Sequence, residues 1–100
     1  MSVEFPLRIV VMDDDYFALK GVTGLLSRDL RTVVVEECES AESLLQTVKK
    51  MKRCPDIILI DAEYRRSPIP LPQLIQQLKT DCSDSLLLCW SQYGLSLIHI

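Results

Sequence analysis

Runs of consecutive apolar residues alternate along this chain with segments whose apolar residues recur at helical spacing. Four runs have the length and composition of strands: Arg8–Met12, Thr32–Glu37, Ile57–Ile60 and Ser85–Trp90. The first, third and fourth are almost uninterrupted, which is typical of strands covered on both faces in parallel sheets. The second is rich in β-branched valine, which also favours a strand.

Helical spacing is found between these runs. The clearest case places apolar residues at i, i+3, i+4, i+7 and i+10, namely Ala41, Leu44, Leu45, Val48 and Met51. Ser40 is suited to cap this helix. Further helices are predicted over Tyr16–Leu30 and, shorter, over Leu71–Leu78, and the proline-rich segment Glu63–Pro72 predicts a loop before the last helix. The order βαβαβαβ favours a parallel sheet with helices on both faces.

Acidic residues follow two of the predicted strands. Asp13, Asp14 and Asp15 follow the first strand, and Asp61 follows the third. Open parallel sheets bind ligands beyond the carboxyl ends of their strands, so these carboxylates would converge if the two strands are neighbours. Crowded carboxylates repel each other unless some are protonated or a cation joins them. A ligand set made only of oxygen suits a hard ion, above all Mg²⁺.

A simpler interpretation of the acidic run is that it opens the following helix. Acidic side chains are favoured there, because they cap free backbone N–H groups and complement the helix dipole. For either acidic segment alone this interpretation is slightly favoured. The occurrence of two apolar runs that both end in aspartate favours the metal site.

Composition narrows the functional classes. A chain of 100 residues is long enough for one domain, and its 48% hydrophobic and 25% charged residues are typical of a globular protein. The net charge of −3 offers no basic surface for nucleic acid. No apolar run approaches the ~18 residues of a membrane span. The N-terminus has no export signal, so a cytoplasmic protein is expected.

The cysteines are scattered. Cys38, Cys54, Cys82 and Cys89 form no CxxC pair. We therefore expect reduced thiols that neither bind metal nor form a disulfide framework.

The strand-end residues resemble those of a known family, the receiver domain of two-component response regulators. The matching segments are Met12–Tyr16 (MDDDY), Ile58–Tyr64 (ILIDAEY) and Leu86–Ser91 (LLLCWS). The resemblance covers about residues 8–92. It implies an α/β fold of the flavodoxin-like type, a doubly wound parallel sheet with strand order 2-1-3-4.

The same resemblance implies roles for individual residues. Asp61 would accept a phosphoryl group, and Ser91 would contact a phosphoryl oxygen through its hydroxyl. Asp13 and Asp14 would be the acidic pair that binds Mg²⁺, with Asp14 the more direct ligand. The Asp61 carboxylate and the backbone carbonyl of Glu63 would complete the ligand set. Such a domain would be regulatory and not an enzyme in its own right, since its only chemistry is its own phosphorylation and dephosphorylation.

The family pattern is incomplete towards the C-terminus. The family has a lysine after a fifth strand, whereas no lysine follows Lys79 here, and only nine residues follow Ser91. The missing elements would need roughly 30 residues. We therefore expect residues 1–100 to form one receiver-like domain that lacks its fifth strand. We also expect residues 95–100 (LSLIHI) to be foreign to the protein, and the uncovered fourth strand to make the chain marginally stable or self-associating.

Partners follow from the resemblance. The phosphoryl donor would be a histidine kinase or a phosphotransfer protein, and an output domain and dimerisation would belong to a longer protein. No contact with nucleic acid or membrane is expected from this segment. One alternative is a receiver-like docking domain that works without phosphorylation, which the missing lysine favours. Another is a small hydrolase, which would need a further base, and the sole histidine is His99.

Overall fold

The computed structural model describes residues 5–91 and 94–97. Within these residues the chain forms, in order, β1 (Leu7–Met12), α1 (Tyr16–Leu26), β2 (Thr32–Cys38), α2 (Ala41–Lys50), β3 (Ile57–Asp61), α3 (Leu71–Asp81), β4 (Leu86–Ser91) and β5 (Gly94–Leu97). None of the helices in this part of the chain is both long and apolar enough to span a bilayer.

The first four strands form a parallel sheet in the order β2-β1-β3-β4. This arrangement confirms the α/β, doubly wound, flavodoxin-like fold. The register sets the strand ends side by side, because Met12 is paired with Ile60 and Asp61 with Trp90. The residues that follow β1 and β3 therefore emerge at one edge of the sheet.

The core explains why the apolar runs become central strands. On one face of the sheet, Val10, Met12, Ile58 and Ile60 are fully buried beneath α2 and α3, which contribute Leu44 and Leu74. On the other face, Ile9 and Val11 pack with Leu19 of α1. Successive strand residues point to opposite faces, so an unbroken apolar run supplies both cores at once.

Helix boundaries differ from the predictions by a few residues. Ser40 caps α2 as predicted, since its hydroxyl accepts a hydrogen bond from the Ser43 N–H at 3.0 Å. Helix α1 ends at Leu26, four residues before the predicted end at Leu30. The chain turns away there because Asp29 accepts hydrogen bonds from the backbone and side chain of Arg31.

The expectation that the edge of β4 is open was wrong. Strand β5 pairs with β4 in the antiparallel direction, with Ser91 opposite Gly94 and Leu88 opposite Leu97. Gly94, the first residue of β5, has a φ of 117°, a conformation that glycine tolerates and other residues rarely adopt. The edge of β4 is thus covered by a short antiparallel strand. Whether residues 95–100 are foreign stays a prediction, and residues 98–100, including His99, lie outside the described part.

The expectation of unpaired thiols was also wrong for one pair. Cys54 and Cys82 form a disulfide with a Cα–Cα distance of 5.7 Å, whereas Cys38 and Cys89 are free and buried. The reason is topological. Helix α3 runs back along β3, so the residue that ends α3 lies beside the segment that leads into β3. Separation along the sequence does not reveal this proximity.

Candidate functional site

The acidic run after β1 divides into separate roles. Asp15 caps α1, because its side chain accepts hydrogen bonds from the backbone of Phe17 and Ala18. Asp13 is only 2% exposed and lies at the end of β1, where it accepts a hydrogen bond from the Asp15 N–H at 2.9 Å. The helix-opening interpretation therefore holds for Asp15, while Asp13 and Asp14 face the sheet edge.

Asp14 connects this edge to the loop that follows β3. Its Oδ2 atom accepts hydrogen bonds from the backbone N–H groups of Arg65, at 2.7 Å, and Arg66, at 3.0 Å. The Asp14 carboxylate thus holds the loop over the edge of the sheet.

Asp61 is the last residue of β3, and its position is fixed from two sides. Its Oδ1 accepts a hydrogen bond from the Glu63 N–H at 2.9 Å. The next residue, Ala62, donates its N–H to the carbonyl of Trp90 on β4 at 2.9 Å. The Asp61 carboxylate is therefore held at the rim of a sheet whose pairing continues one residue beyond it.

Three of the predicted site residues converge. Carboxylate oxygens of Asp13, Asp14 and Asp61 all lie within 4.8 Å of one another. Such spacing is compatible with a single cation contacting all three groups. The ligands are oxygen only, which is the donor set that Mg²⁺ prefers.

The carboxylates perturb one another. Burial raises the pKa of Asp61 to about 6; the Glu63 N–H opposes this rise, and the charge of Asp13 adds to it. The pKa of Asp13 is also raised, first by burial and further by the charges of Asp14 and Asp15. A hydrogen bond between the Asp13 and Asp61 carboxyls favours the charged form of Asp13 and the protonated form of Asp61. Without a cation, the pair therefore shares a proton in mildly acidic solution.

Asp14 is the exception. Burial alone would raise the pKa of its carboxyl, but the two backbone donors and the positive charge of Arg66 outweigh burial and lower it. The pKa of Asp14 is thus shifted in the opposite direction to those of Asp13 and Asp61.

The cluster opens into a pocket of about 390 Å³. Its lining is made of the acidic cluster with its neighbours Asp15 and Ala18, the loop residues Glu63, Arg65 and Arg66, and the β4 residues Trp90 and Ser91. Ser91 ends β4, the strand next to β3, and lines the same pocket as Asp61, while its contact with a phosphoryl group stays a prediction. The side of the pocket formed by the loop is the part that sequence reasoning missed.

Glu63 and the two arginines reach the pocket for a local reason. They follow β3 directly, and the loop is folded back over the strand end by its hydrogen bonds to Asp14 and Asp61. Glu63 lines the pocket, and the role of its backbone carbonyl as a metal ligand stays a prediction. The signal in the sequence was the position of Arg65 and Arg66 immediately after the strand that bears Asp61.

Comparison with known proteins gives partial matches. The chain matches no protein-family model. It is 35% identical over 66 residues to protein-glutamate methylesterase/protein-glutamine glutaminase 2 of Xanthomonas oryzae pv. oryzae. An equal match is found to the corresponding enzyme 1 of Xanthomonas euvesicatoria pv. vesicatoria. In each case the matched segment is 66% of this chain but 18% of the relative, so the chain spans less than a fifth of those enzymes.

Solved structures share the fold over most of the chain. The receiver domain of the putative response regulator NarL from Mycobacterium tuberculosis has a TM-score of 0.74 at 24% identity, covering 88% of this chain and 68% of that domain. RcsB from Salmonella enterica serovar Typhimurium, bound to promoter rprA in the presence of the phosphomimetic BeF3⁻, also has a TM-score of 0.74. Its identity is 17%, and the match covers 85% of this chain and 42% of RcsB.

Proposed function

Because the chain has the fold of response-regulator receiver domains, we propose that it is a phosphoacceptor module in which Asp61 takes a phosphoryl group from a histidine kinase or a phosphotransfer protein. The observation that carries this proposal is the convergence of the Asp13, Asp14 and Asp61 carboxylates at the ends of two neighbouring strands. Neither α1 capping nor core packing requires three acids within 4.8 Å of one another.

In the transfer itself, the protein makes a single covalent bond, from Asp61 to phosphorus. An Asp61 carboxylate oxygen attacks the phosphorus of the donor's phosphohistidine, an O–P bond forms, and the N–P bond breaks with its electrons left on the imidazole nitrogen. Asp61 must be ionised to attack, which its raised pKa of about 6 allows at neutral pH. Phosphoryl transfer depends mainly on positioning and on charge neutralisation, so rigid placement of Asp61 by β3 and Glu63 is the chain's contribution.

We propose that Asp13, Asp14, Asp61 and the backbone carbonyl of Glu63 hold Mg²⁺. The donor set fits the ion because it consists only of oxygen and gathers negative charge that a cation would offset. When bound, Mg²⁺ would supply the positive charge that lets a carboxylate approach an anionic phosphoryl group. Asp14 would hold the ion while its Oδ2 also anchors the loop through the N–H groups of Arg65 and Arg66.

Ser91 is assigned to the phosphoryl group. It ends the strand beside β3 and lines the same pocket as Asp61. Its hydroxyl can donate to a phosphoryl oxygen, which would let the β4 end respond to phosphorylation. We therefore expect Ser91→Ala to take up phosphate normally and to lose the response that follows.

The module would act as a regulatory part of a longer cytoplasmic protein, and its output would lie outside this chain. The methylesterase activity of the relatives belongs to proteins more than five times longer than the matched segment. We assign no hydrolase activity to this chain, because the acid cluster and Ser91 have a role in phosphoryl transfer. Dimerisation of the longer protein is part of the same proposal.

The test is phosphorylation with a small phosphodonor such as acetyl phosphate. We expect Mg²⁺-dependent labelling that hydroxylamine removes, since an acyl phosphate is cleaved by that nucleophile. Asp61→Asn should abolish the label, whereas Asp84→Asn, which neutralises an exposed acid elsewhere, should keep it. A label that survives in Asp61→Asn would place the phosphoryl group on another residue. A chain that takes no label but still binds a kinase would favour the docking alternative.

Mg²⁺ binding is tested separately with Trp90, the only tryptophan and a residue of the pocket lining. We expect Mg²⁺ to change its fluorescence, and Asp14→Ala to remove the response. Asp14→Asn keeps an oxygen for the loop N–H groups but removes the charge, so it separates metal binding from loop anchoring. Equal Mg²⁺ affinity with and without the Asp14 charge would contradict the assigned ligand set.

A further inference from the structure

The pocket has an imbalance of charge that a bound cation only partly offsets. Its acidic lining residues are Asp13, Asp14, Asp15, Asp61 and Glu63. A phosphoryl group on Asp61 would add further negative charge to the same space. The cationic residues among the described lining are Arg65 and Arg66.

The loop that carries these arginines is held firmly in place. Both backbone N–H groups are bonded to Asp14, at 2.7 and 3.0 Å. Further along, the Tyr64 hydroxyl donates to the carbonyl of Ile69, and the Ser67 hydroxyl donates to the Glu42 carboxylate of α2. The arginine side chains therefore start from a fixed backbone position beside Asp61.

The side chain of Arg66 is available for a ligand. It is exposed, and within the described residues its guanidinium group takes part in none of the side-chain hydrogen bonds or ion pairs. Arg66 lines the same pocket as the acidic cluster, and its own backbone N–H is bonded to Asp14 at 3.0 Å.

Several other cationic residues are paired or remote from the pocket. Lys20 is paired with Glu37 at 3.0 Å. Lys49 and Lys50 lie in the last turn of α2, and Lys79 lies in the last turn of α3. In a βα unit the helix runs back along the sheet, so these helix ends lie towards the edge opposite Asp61.

We propose that the guanidinium group of Arg66 binds oxygens of the phosphoryl group on Asp61. This inference rests on the proposed phosphoacceptor function and adds a residue to it. A guanidinium group presents paired N–H donors whose geometry matches two phosphoryl oxygens, so it can neutralise and orient the group together. The β3–α3 loop would thereby supply a positive charge beside Asp61.

The experiment is the binding of beryllofluoride, an analogue of the phosphoryl group, followed by Trp90 fluorescence in the presence of Mg²⁺. We expect Arg66→Ala to weaken beryllofluoride binding roughly tenfold, the loss typical of one charge-assisted hydrogen-bonded contact. Arg66→Lys should recover part of the affinity, since it keeps the charge but loses the paired geometry. Arg53→Ala is the matched control, because Arg53 is also an exposed arginine but lies in the loop before β3.

A second measurement on the same variants, their Mg²⁺ affinity, distinguishes the loss of a phosphoryl contact from damage to the fold. Arg66→Ala should leave Mg²⁺ affinity unchanged or slightly higher, because it removes a positive charge near the metal ligands. A structural disturbance would instead weaken Mg²⁺ and beryllofluoride binding together, and would overturn the proposal. So would wild-type beryllofluoride affinity in Arg66→Ala, or equal losses in Arg66→Ala and Arg53→Ala. If the wild-type chain neither binds beryllofluoride nor is labelled on Asp61, the phosphoacceptor function itself fails.

Discussion

At the scale of single residues, Asp61 stands out because the fold makes its ionisation unfavourable. Burial and the nearby Asp13 charge raise its pKa to about 6, against about 3.9 for an unperturbed aspartate. The folded chain therefore binds a proton at Asp61 more tightly than the unfolded chain. Because ionisation of Asp61 is unfavourable, a bound cation should stabilise the site and a further anion should destabilise it.

This shift predicts how stability depends on pH. Because the folded-state pKa lies above the unfolded value, the contribution of Asp61 is favourable below about pH 4 and declines as pH rises to about 6. Asp61→Asn removes this decline and keeps an acceptor for the Glu63 N–H. We expect the variant to be more stable than the wild type by about 1–2 kcal/mol at pH 7.5 without Mg²⁺, and equally stable near pH 4.

Urea unfolding at the two pH values measures this difference. Subtracting the wild-type stability from that of the variant at each pH cancels the contributions of other acids. One such acid is Asp29, whose pKa is lowered to about 2 by Arg31. Saturating Mg²⁺ should stabilise the wild type more than it stabilises Asp61→Asn. A stability difference that is the same at both pH values would mean that the fold does not disfavour the ionised form of Asp61.

The acidic run after β1 shows which features of the site can be predicted from the sequence and which cannot. Its proximity to Asp61 was predictable, since both segments follow buried strands that prove to be neighbours. The division of labour was not, because capping by Asp15 and burial of Asp13 depend on where α1 begins. Three identical side chains in sequence acquire different roles only from the backbone geometry at the turn.

At the scale of elements, the β3–α3 unit carries most of the site and closes on itself. Cys54 precedes β3 and Cys82 caps α3, so the disulfide encloses Asp61, the β3–α3 loop with its two arginines, and α3. The sequence separation of 28 residues explains why spacing rules for cysteine missed the pair. The contact becomes foreseeable only once the strand and the helix are known to run antiparallel.

The disulfide predicts a redox-dependent stability. Closing a loop of this length should stabilise the oxidised chain by about 3–4 kcal/mol, mainly by restricting the unfolded state. Reductant should therefore destabilise the wild type in urea unfolding, and should have no effect on the Cys54→Ala/Cys82→Ala double variant. In a reducing cytoplasm the pair would be held as thiols, and the lower stability would apply.

A count of thiols in denaturant is the control. The chain has four cysteines, of which Cys38 and Cys89 are free. The air-oxidised chain should accordingly react at two thiols, and the reduced chain at four. Four reactive thiols without reductant would contradict the pairing.

At the scale of the whole molecule, the order of elements was predictable and the edge of the sheet was not. Alternating apolar runs and helical spacing are local patterns, and they fix a parallel βα sheet because each run must be covered on both faces. Strand β5 escaped prediction because Gly94–Leu97 is a short segment that lacks a helix before it. Its antiparallel pairing with β4 has no counterpart in the apolar and helical patterns of the sequence.

One apolar surface remains on the outer part of the sheet. Leu86 is 44% exposed, and Leu88, on the same face of β4, is only partly buried. Among the described strands, β5 is the outermost on this side and offers an edge to other chains. We therefore expect the molecule to self-associate as its concentration rises, even though the edge of β4 itself is paired.

Sedimentation velocity over a range of concentrations tests this expectation. Leu86→Lys should shift the chain towards the monomer, because it places a charge in the apolar surface. Leu30→Lys is a suitable control, since Leu30 is 94% exposed but follows α1 at a distance from β4. A wild-type chain that remains monomeric at all concentrations would show that this surface does not drive association.

The central claim is that Asp61, and no other acid of the cluster, carries the phosphoryl group. Borohydride reduces an aspartyl phosphate to homoserine, so it leaves a permanent mark at the phosphorylated position. The chain would be treated with acetyl phosphate and Mg²⁺, reduced, digested and sequenced by mass spectrometry. The account predicts homoserine at position 61 and unmodified aspartate at positions 13 and 14. Homoserine at position 13 or 14, or at none of the three in a folded and Mg²⁺-saturated chain, would contradict it.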